Sequence, residues 1–437
     1  MKRIYYTFPC AFSQEGYSRL LNWAYHKFSC VAFLNSNQSN KDPYSSHETL
    51  IAFGVHKQIC TDELGNAFDD LKKFSDSHND WLFGFLSYDL KNQKEVLYSK
   101  HDDGIQMPLM HFFLPKYVLR FQKEKVTIGV LEPYACSRFA IAKLLKEAQE
   151  FNIAKEHFPS FKVKHKVTKE DYLWAVDRIK QHIQKGDIYE MNYCIEFFAN
   201  DVMVDPVAIY QHLNNHNPSP FSCFYKINDK YLISSTPERF MAKRGNLLIS
   251  QPIKGTIKRG STSEEDSLLK NQLLNDPKEK SENVMIVDLV RNDMAQTANP
   301  GSVQVKELCG IYSYARVHQM ISTITAELDS DFHFTEALKS AFPMGSMTGA
   351  PKIKSMELIE QYEKTKRGLY SGAVGYISPQ KDFDFNVIIR SILYNRTNKF
   401  ISFMSGSAIT NASVPEKEYQ ECLLKAEAMA NTLGITL

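Results

Sequence analysis

Apolar residues recur along this chain in two different patterns. Over residues 1–150 they form short aromatic and aliphatic runs, such as WLFGFLSYDL and MHFFLPKYVLRF, separated by polar loops. Such runs predict strands with a few helices, one of them over 137–151. The segment 152–167 has no clear apolar period and is predicted to be a connection.

A helix is predicted directly after this connection. Thr168 and Asp171 form a start resembling a capping box, apolar side chains follow at helical spacing, and Gly186 ends the helix. We therefore predict a scaffold subdomain over 1–155 and a second domain, which carries the chemistry, over 165–437.

The second half of the chain alternates strands with helices. Strands are predicted at 231–235, 385–394 and 400–410, with a hairpin turn at 244–246 and helices at 278–294 and 415–433. This order predicts an α+β fold with large antiparallel sheets. No βαβ alternation is sustained and no GxGxxG follows a strand, which argues against a dinucleotide-binding fold.

Charge and composition narrow the class of protein. Lys and Arg number 52 against 50 Asp and Glu, a net charge of +2, so the marked basic excess of a nucleic-acid binder is absent. None of the eight cysteines has another two to four residues away, which excludes zinc-ribbon spacing and is typical of buried, reduced thiols. No apolar run is long enough to span a membrane, and we expect a cytoplasmic protein.

Two pairs of glutamates stand out as candidate metal ligands. Glu279 and Glu282 are three residues apart in one predicted helix, and Glu418 and Glu421 are three apart in another. Side chains at this spacing project from one helix face, so four carboxylates can converge. Without Cys or His partners such a set suits a hard cation, with Mg²⁺ preferred. The alternative is two solvated acidic faces.

Lys254, in SQPIKGT, is a candidate nucleophile. It ends an apolar strand, and burial there would lower the pKa of its ammonium and expose the amine. The alternative is a surface lysine that opens a loop. Glu238, in SSTPERF, lies at a strand end and could be a general acid with a raised pKa, or simply the ion-pair partner of Arg239.

Glycine-rich segments and one arginine suggest an anionic ligand. The segments 342–352, 371–376 and 405–408 could offer backbone amides to an anion, or could be ordinary turns. Arg390 lies within the predicted apolar strand NVIIRSI and needs a partner, either a ligand carboxylate or a structural acid.

The region from about 168 to 435 resembles the chorismate-binding enzymes. The similarity rests on GDIYEMN, SSTPERF, PIKGT, SENVMIVDLVRNDM, FPMGSMTGAPK, SGAVGY and VIIRS, which occur in the family's order. It implies an anthranilate synthase component I-like fold, with sheets packed as a sandwich and helices outside. Anthranilate synthases carry Pro-Ile-Ala-Gly-Thr where this chain reads PIKGT. The lysine is typical of members that form aminodeoxychorismate.

The resemblance implies a covalent mechanism. Glu238 would protonate the departing C4 hydroxyl of chorismate while the amine of Lys254 adds at C2. Ammonia would then attack C4 and expel Lys254, giving 4-amino-4-deoxychorismate for p-aminobenzoate and folate synthesis. Since the chain has no Gly-x-Cys-x-Gly elbow, a glutamine amidotransferase subunit would supply the ammonia.

The same resemblance implies a set of binding residues. Glu282 and Glu421 would hold Mg²⁺ directly, with Glu279 and Glu418 in support. Tyr376 and Arg390 would bind the enolpyruvyl carboxylate. The residues lining the ring of the substrate would be Gly255, Thr256, Ser346, Gly406, Ser407, Ala408 and Lys425.

Three positions depart from the family pattern. Gln319 replaces a common histidine, with only His318 beside it, Ala408 replaces a common glycine, and Glu190 stands where glutamine is usual. Isochorismate and salicylate synthases carry a water-activating lysine at the position of Glu190, which argues against those two activities. The alternatives are anthranilate synthase component I, disfavoured by Lys254 and by the lack of an LLES-type motif, and a non-catalytic chorismate-binding protein.

Overall fold

The computed structural model describes residues 2–9, 13–37, 42–45, 47, 49–63, 65–122, 124–152, 161–314 and 316–437. Its helices are α1 (Gln14–Lys27), α2 (Ala67–Ser77), α3 (Arg138–Gln149), α4 (Lys169–Gln184), α5 (Pro206–His216), α6 (Ser263–Asn275), α7 (Pro277–Ala295), α8 (Phe334–Ala341), α9 (Lys352–Tyr362) and α10 (Pro415–Thr432).

The first ten strands are β1 (Arg3–Pro9), β2 (Cys30–Asn35), β3 (Thr49–Thr61), β4 (Leu82–Leu86), β5 (Met110–Gln122), β6 (Lys125–Leu131), β7 (Lys164–His165), β8 (Glu190–Ala199), β9 (Phe221–Ile227) and β10 (Lys230–Thr236). The next ten are β11 (Arg239–Arg244), β12 (Leu247–Gln251), β13 (Ile253–Lys258), β14 (Gln304–Ser313), β15 (Val317–Glu327), β16 (Gly349–Ala350), β17 (Ala373–Ile377), β18 (Phe383–Val387), β19 (Ser391–Asn395) and β20 (Phe400–Ile409).

These strands form two antiparallel layers that share β5. The first layer runs β8–β20–β19–β10–β9–β2–β3–β5. The second continues β5–β4–β17–β18–β11–β12–β15. The predicted α+β fold with antiparallel sheets is confirmed.

The hydrophobic core shows that the layers pack as a sandwich. One cluster joins Ala32 of β2 and Tyr225 of β9 with Phe83 of β4 and Val374 of β17, so it lies between the layers. A second cluster packs α1, α3, α4, α5 and α10 on the first layer, and a third packs α2, α7 and α8 on the second. The helices therefore lie outside, as expected.

Local signals placed several elements correctly. Thr168 Oγ1 accepts a hydrogen bond from Asp171 N at 3.1 Å and Asp171 Oδ2 accepts one from Thr168 N at 3.4 Å, which confirms the capping box of α4. The predicted turn joins β11 to β12, where Gly245 has φ +59°.

The predicted strand over 385–394 is wrong. Its residues form two strands, β18 and β19, which belong to different layers, and the chain crosses between the layers at 388–390. Arg390 is in this crossing with φ +51°.

The division into 1–155 and 165–437 stays a prediction, and its boundary falls partly on 153–160, which lie outside the described residues. Strands of the two segments pair directly, β2 with β9 and β4 with β17. In the described chain no helix is both long and apolar enough to cross a bilayer. Cys60 and Cys136 are exposed, unlike the five other cysteines described, which are buried and free.

Candidate active site

Lys254 is placed by a bulge in β13. The pairing of β13 with β15 shifts between Ile253 and Thr256, and Gly255 within this shift has φ +90°. A Cβ on Gly255 would lie 3.1 Å from Glu279 Oε2 and 3.2 Å from Leu273 Cδ1. The glycine therefore allows the strand that carries Lys254 to approach the acidic side of α7.

The ammonium of Lys254 is paired with Glu190. Nζ donates to Glu190 Oε1 at 2.6 Å, and the two residues are 8% and 1% exposed. Burial alone would lower the pKa of Lys254, but the negative charges of Glu190, Glu282 and Glu238 raise it above its ordinary value. The expected lowering of this pKa is therefore wrong, because the pocket that buries the amine also surrounds it with carboxylates.

Glu238 lies between β10 and β11, in a setting that suits a proton donor. It is 4% exposed, and burial raises its pKa to about 7, against the effect of a hydrogen bond with Ser346 and the charge of Lys254. The alternative of an ion pair with Arg239 does not describe this site. Arg239 instead donates to both oxygens of Asp384, at 2.9 and 3.0 Å, and to Asp42 at 2.6 Å.

The two glutamate pairs are brought together, with lysines between them. Asp276 caps α7 by accepting from the backbone amides of Lys278 and Glu279. The Nζ of Lys278 then lies 2.9 Å from Glu418 Oε1 and 3.6 Å from Glu282 Oε1, and thus links α7 to α10. Within α10, Lys425 Nζ lies 2.5 Å from Glu421 Oε1.

The donor chemistry of this cluster fits Mg²⁺. No three acidic, histidine or cysteine side chains in the described part of the chain form a ligand set as they stand. However, Glu282 Oε1 and Glu418 Oε2 are buried without a hydrogen-bond partner. Burial raises the pKa of Glu282 to about 7 and that of Glu279 above its usual range. Buried carboxylates that lack full compensation are the ligands a hard cation would stabilise.

Tyr376 and Arg390 have different surroundings in the structure. The ring of Tyr376 packs at 5.6 Å from Trp81 and 6.2 Å from Phe83, in the core between the layers. Arg390 lies in the crossing between β18 and β19, where its Nη1 donates to the carbonyl of Lys425 at 2.7 Å. Burial lowers the pKa of Arg390, and the charge of Tyr370 acts against this effect. The role of Tyr376 and Arg390 in binding a ligand carboxylate stays a prediction.

The remaining predicted residues line β20 and its surroundings. Gly406 accepts a hydrogen bond from Lys425 Nζ through its carbonyl at 3.2 Å, and a Cβ there would lie 2.6 Å from Cys194 Sγ. The Ser407 hydroxyl is 2.7 Å from Tyr172 OH and the residue is fully buried, so its side chain is engaged with α4. Ala408 is buried. Ser346 is buried beside Glu238, whereas Thr256 is exposed on β13.

Sequence reasoning missed an arginine that braces the site. Arg367 is 3% exposed and donates to the carbonyls of Asn192 on β8, at 3.0 Å, and Met347, at 2.6 Å. It thus ties the strand that begins at Glu190 to the turn that carries Ser346. Its partner Glu363 is four residues earlier in the chain. This Glu–Arg spacing was the local signal in the sequence that could have indicated an ion pair.

Two further contributors were also missed. Lys278 directly precedes Glu279 and could have been noticed as a charge beside the first glutamate pair. Tyr370 directly precedes SGAVGY, and the sequence offered no reason to connect it with Arg390.

Comparison with known proteins gives one consistent result. The family model described as "chorismate binding enzyme" matches residues 31–431. "Aminodeoxychorismate synthase, chloroplastic" of Arabidopsis thaliana is 34% identical over 416 residues, which cover 90% of this chain and 45% of the relative. "Aminodeoxychorismate synthase component 1" of Bacillus subtilis is 33% identical over 81% of this chain and 77% of the relative.

Anthranilate synthases are similar to the same degree. "Anthranilate synthase component 1" of Aquifex aeolicus is 33% identical over 86% of this chain and 80% of the relative. The crystal structure of anthranilate synthase component I from Streptococcus pneumoniae superposes with a TM-score of 0.77 at 26% identity, covering 90% of this chain and 96% of that one. The chain therefore shares its fold with anthranilate synthase component I, and it is a member of the chorismate-binding enzyme family.

Proposed function

We propose that this chain converts chorismate and ammonia to 4-amino-4-deoxychorismate, as the first component of an aminodeoxychorismate synthase. The observation that carries the proposal is Lys254, a buried amine that is paired with Glu190 and whose pKa responds to the charges of Glu238 and Glu282. A lysine at this position gives the site a nucleophile that a small apolar side chain would not supply.

The chemistry divides between an acid and a nucleophile. Hydroxide leaves poorly, so the C4 hydroxyl needs a proton, and Glu238 still holds one near neutral pH because its pKa is raised to about 7. The amine of Lys254 adds at C2 as water departs from C4. Ammonia then adds at C4, the C2–N bond breaks, and the enolpyruvyl group is retained.

We assign the binding of Mg²⁺, which would neutralise the ring carboxylate of chorismate, to the glutamate cluster. Glu282 and Glu421 would hold Mg²⁺, with Glu279 and Glu418 in support, and the ion would supply positive charge to the ring carboxylate of chorismate. Arg390, whose guanidinium donates to the Lys425 carbonyl on α10, would bind the second carboxylate, with Tyr370 in support. Together these groups fit a small substrate with two negative charges.

We assign the release of ammonia from glutamine to a second protein. The chain carries no Gly-x-Cys-x-Gly elbow, and the Bacillus relative is named a component 1. We place a glutamine amidotransferase subunit as the partner, and the cytoplasm as the site of the reaction. The isolated chain should use ammonium salts and should release no glutamate from glutamine.

The second candidate function is anthranilate synthesis, which the Aquifex relative favours. One assay separates the two. Purified protein is incubated with chorismate, Mg²⁺ and an ammonium salt. A product that a lyase converts to p-aminobenzoate supports the proposal, fluorescent anthranilate supports the second candidate, and an absence of turnover indicates a non-catalytic chorismate-binding protein.

A further inference from the structure

Glu190 is a buried carboxylate in direct contact with the proposed nucleophile. Its Oε1 accepts from Lys254 Nζ at 2.6 Å, and its Oε2 is buried without a hydrogen-bond partner. The backbone around it is held firmly, since Ala350 pairs with it across β16 and β8 and Ser355 Oγ donates to its carbonyl at 3.1 Å. The carboxylate is therefore positioned beside Nζ, with one oxygen left unengaged.

The covalent mechanism needs Lys254 in its neutral form. In the ion pair Lys254 is an ammonium, which has no lone pair and cannot attack carbon. A proton must leave Nζ before attack and must return when the lysine is expelled. Because Lys254 is buried, a neighbouring side chain is better placed than bulk water to exchange that proton.

We propose that Glu190 takes the proton of Lys254 before the amine attacks chorismate and gives it back when the lysine departs. This rests on the covalent function proposed above. In the first transfer the ammonium and carboxylate become amine and carboxylic acid. In the last, the C2–N bond electrons return to nitrogen and the Glu190 acid protonates it. Glu238 separately donates the proton that leaves in water and accepts the proton released from the new C4 amine.

The other acids near Lys254 do not fit this role. Glu238, between β10 and β11, is the proposed proton donor to the C4 hydroxyl, and Glu282, on α7, is a proposed ligand of Mg²⁺. Both act on Lys254 through their charge, and Glu282 faces Glu190 as well. Among the described residues, the hydrogen bond of Lys254 Nζ goes to Glu190. A glutamine at this position could accept that hydrogen bond but could not accept the proton.

The test compares Glu190→Gln with Glu196→Gln. Glu196 lies on the same strand, is 6% exposed and pairs with Lys166 at 3.0 Å, so it controls for loss of a buried ion pair on β8. The rate at which chorismate, without ammonia, forms an adduct on the Lys254 peptide is followed by mass spectrometry across a pH series. Steady-state kcat and KM are measured alongside.

Glu190→Gln should slow adduct formation about 100-fold at neutral pH with little change in KM, as for loss of a general base. Its rate relative to the wild type should rise with pH, because solvent then removes the proton. Wild-type rates and pH profile in Glu190→Gln, or an equal loss in Glu196→Gln, would overturn the inference.

Two further outcomes are distinguishable. If the wild type forms no adduct, the covalent function itself fails, whatever Glu190 does. If Glu190→Gln does not fold, Glu190→Asp carries the test: it should keep the wild-type pH profile at a lower rate, and a profile that rises relative to the wild type would overturn the inference.

Discussion

Lys254 and Lys258 lie on the same strand in opposite surroundings, one buried and one exposed. We expect Lys254→Ala to abolish amine transfer while chorismate still binds, because the nucleophile is lost but the carboxylate-binding groups remain. Lys258→Ala should be neutral. The measurements are turnover with ammonium and chorismate binding by calorimetry. Normal turnover of Lys254→Ala would exclude the covalent route.

The four glutamates of the cluster should differ in their effect. Loss of Glu282 or Glu421 should abolish Mg²⁺-dependent activity, because each would contribute charge directly to the ion. Glu279→Gln and Glu418→Gln should weaken Mg²⁺ binding about 10- to 100-fold, since groups that orient ligands have smaller effects. Titration of each variant with Mg²⁺ by calorimetry and by activity provides the check, and an equal loss at all four positions would contradict the assignment.

The pKa of Glu238 sets a pH dependence. Burial raises this pKa to about 7, so the acid is protonated below that pH and ionised above it. The rate of adduct formation without ammonia should therefore fall as pH rises through about 7. Stopped samples analysed by mass spectrometry give this rate at each pH, and a rate that stays constant well above pH 7 would remove Glu238 as the proton donor.

At the residue scale, the sequence identified the reactive side chains better than it identified their contacts. Lys254, Glu238 and the glutamate pairs stand in short motifs, so their side-chain types could be read directly. The partner of Lys254 is 64 positions away in the chain, and the raised pKa of the lysine depends on that distant carboxylate. Sequence spacing also does not show that the ring of Tyr376 packs beside Trp81 in the core.

Among the elements, the bulge at Gly255 should be sensitive to substitution. Gly255→Ala would place a Cβ at φ +90° and 3.1 Å from Glu279 Oε2, so Glu279 and Leu273 must move by a few tenths of an ångström. We expect a cost of roughly 1–3 kcal/mol and a clear loss of activity. Gly245→Ala is the matched control: its φ is also positive, but nothing lies within 4 Å of the added atom. Thermal unfolding and turnover of both variants test this, and equal losses would show that strain alone decides.

Elements with local sequence signals were predictable, whereas the point at which the chain crosses between the two layers was not. The capping box at Thr168 and the glycine turn at 245 act within a few residues, and both elements are found where expected. The break at 388–390 leaves no mark in a continuous apolar run, because it arises when the two halves join different layers.

For the whole molecule, the pairing of β2 with β9 and β4 with β17 predicts that the segment 165–437 needs the first segment to fold. Expressed alone, it would expose the edges of β9 and β17, which invite aggregation. We expect it to be insoluble or to lack a cooperative thermal transition, and co-expression with 1–160 should restore both. A soluble, cooperatively unfolding fragment would instead establish an independent domain.

The late position of β17 has a consequence for synthesis on the ribosome. Leu86 emerges long before Ala373, the residue it pairs with, and at roughly 5–20 residues per second the delay is about 15 to 60 s. Throughout that interval the apolar strand β4 has an open edge in a crowded compartment. The nascent chain is therefore a natural client for chaperones that shield such edges until translation supplies the missing strand.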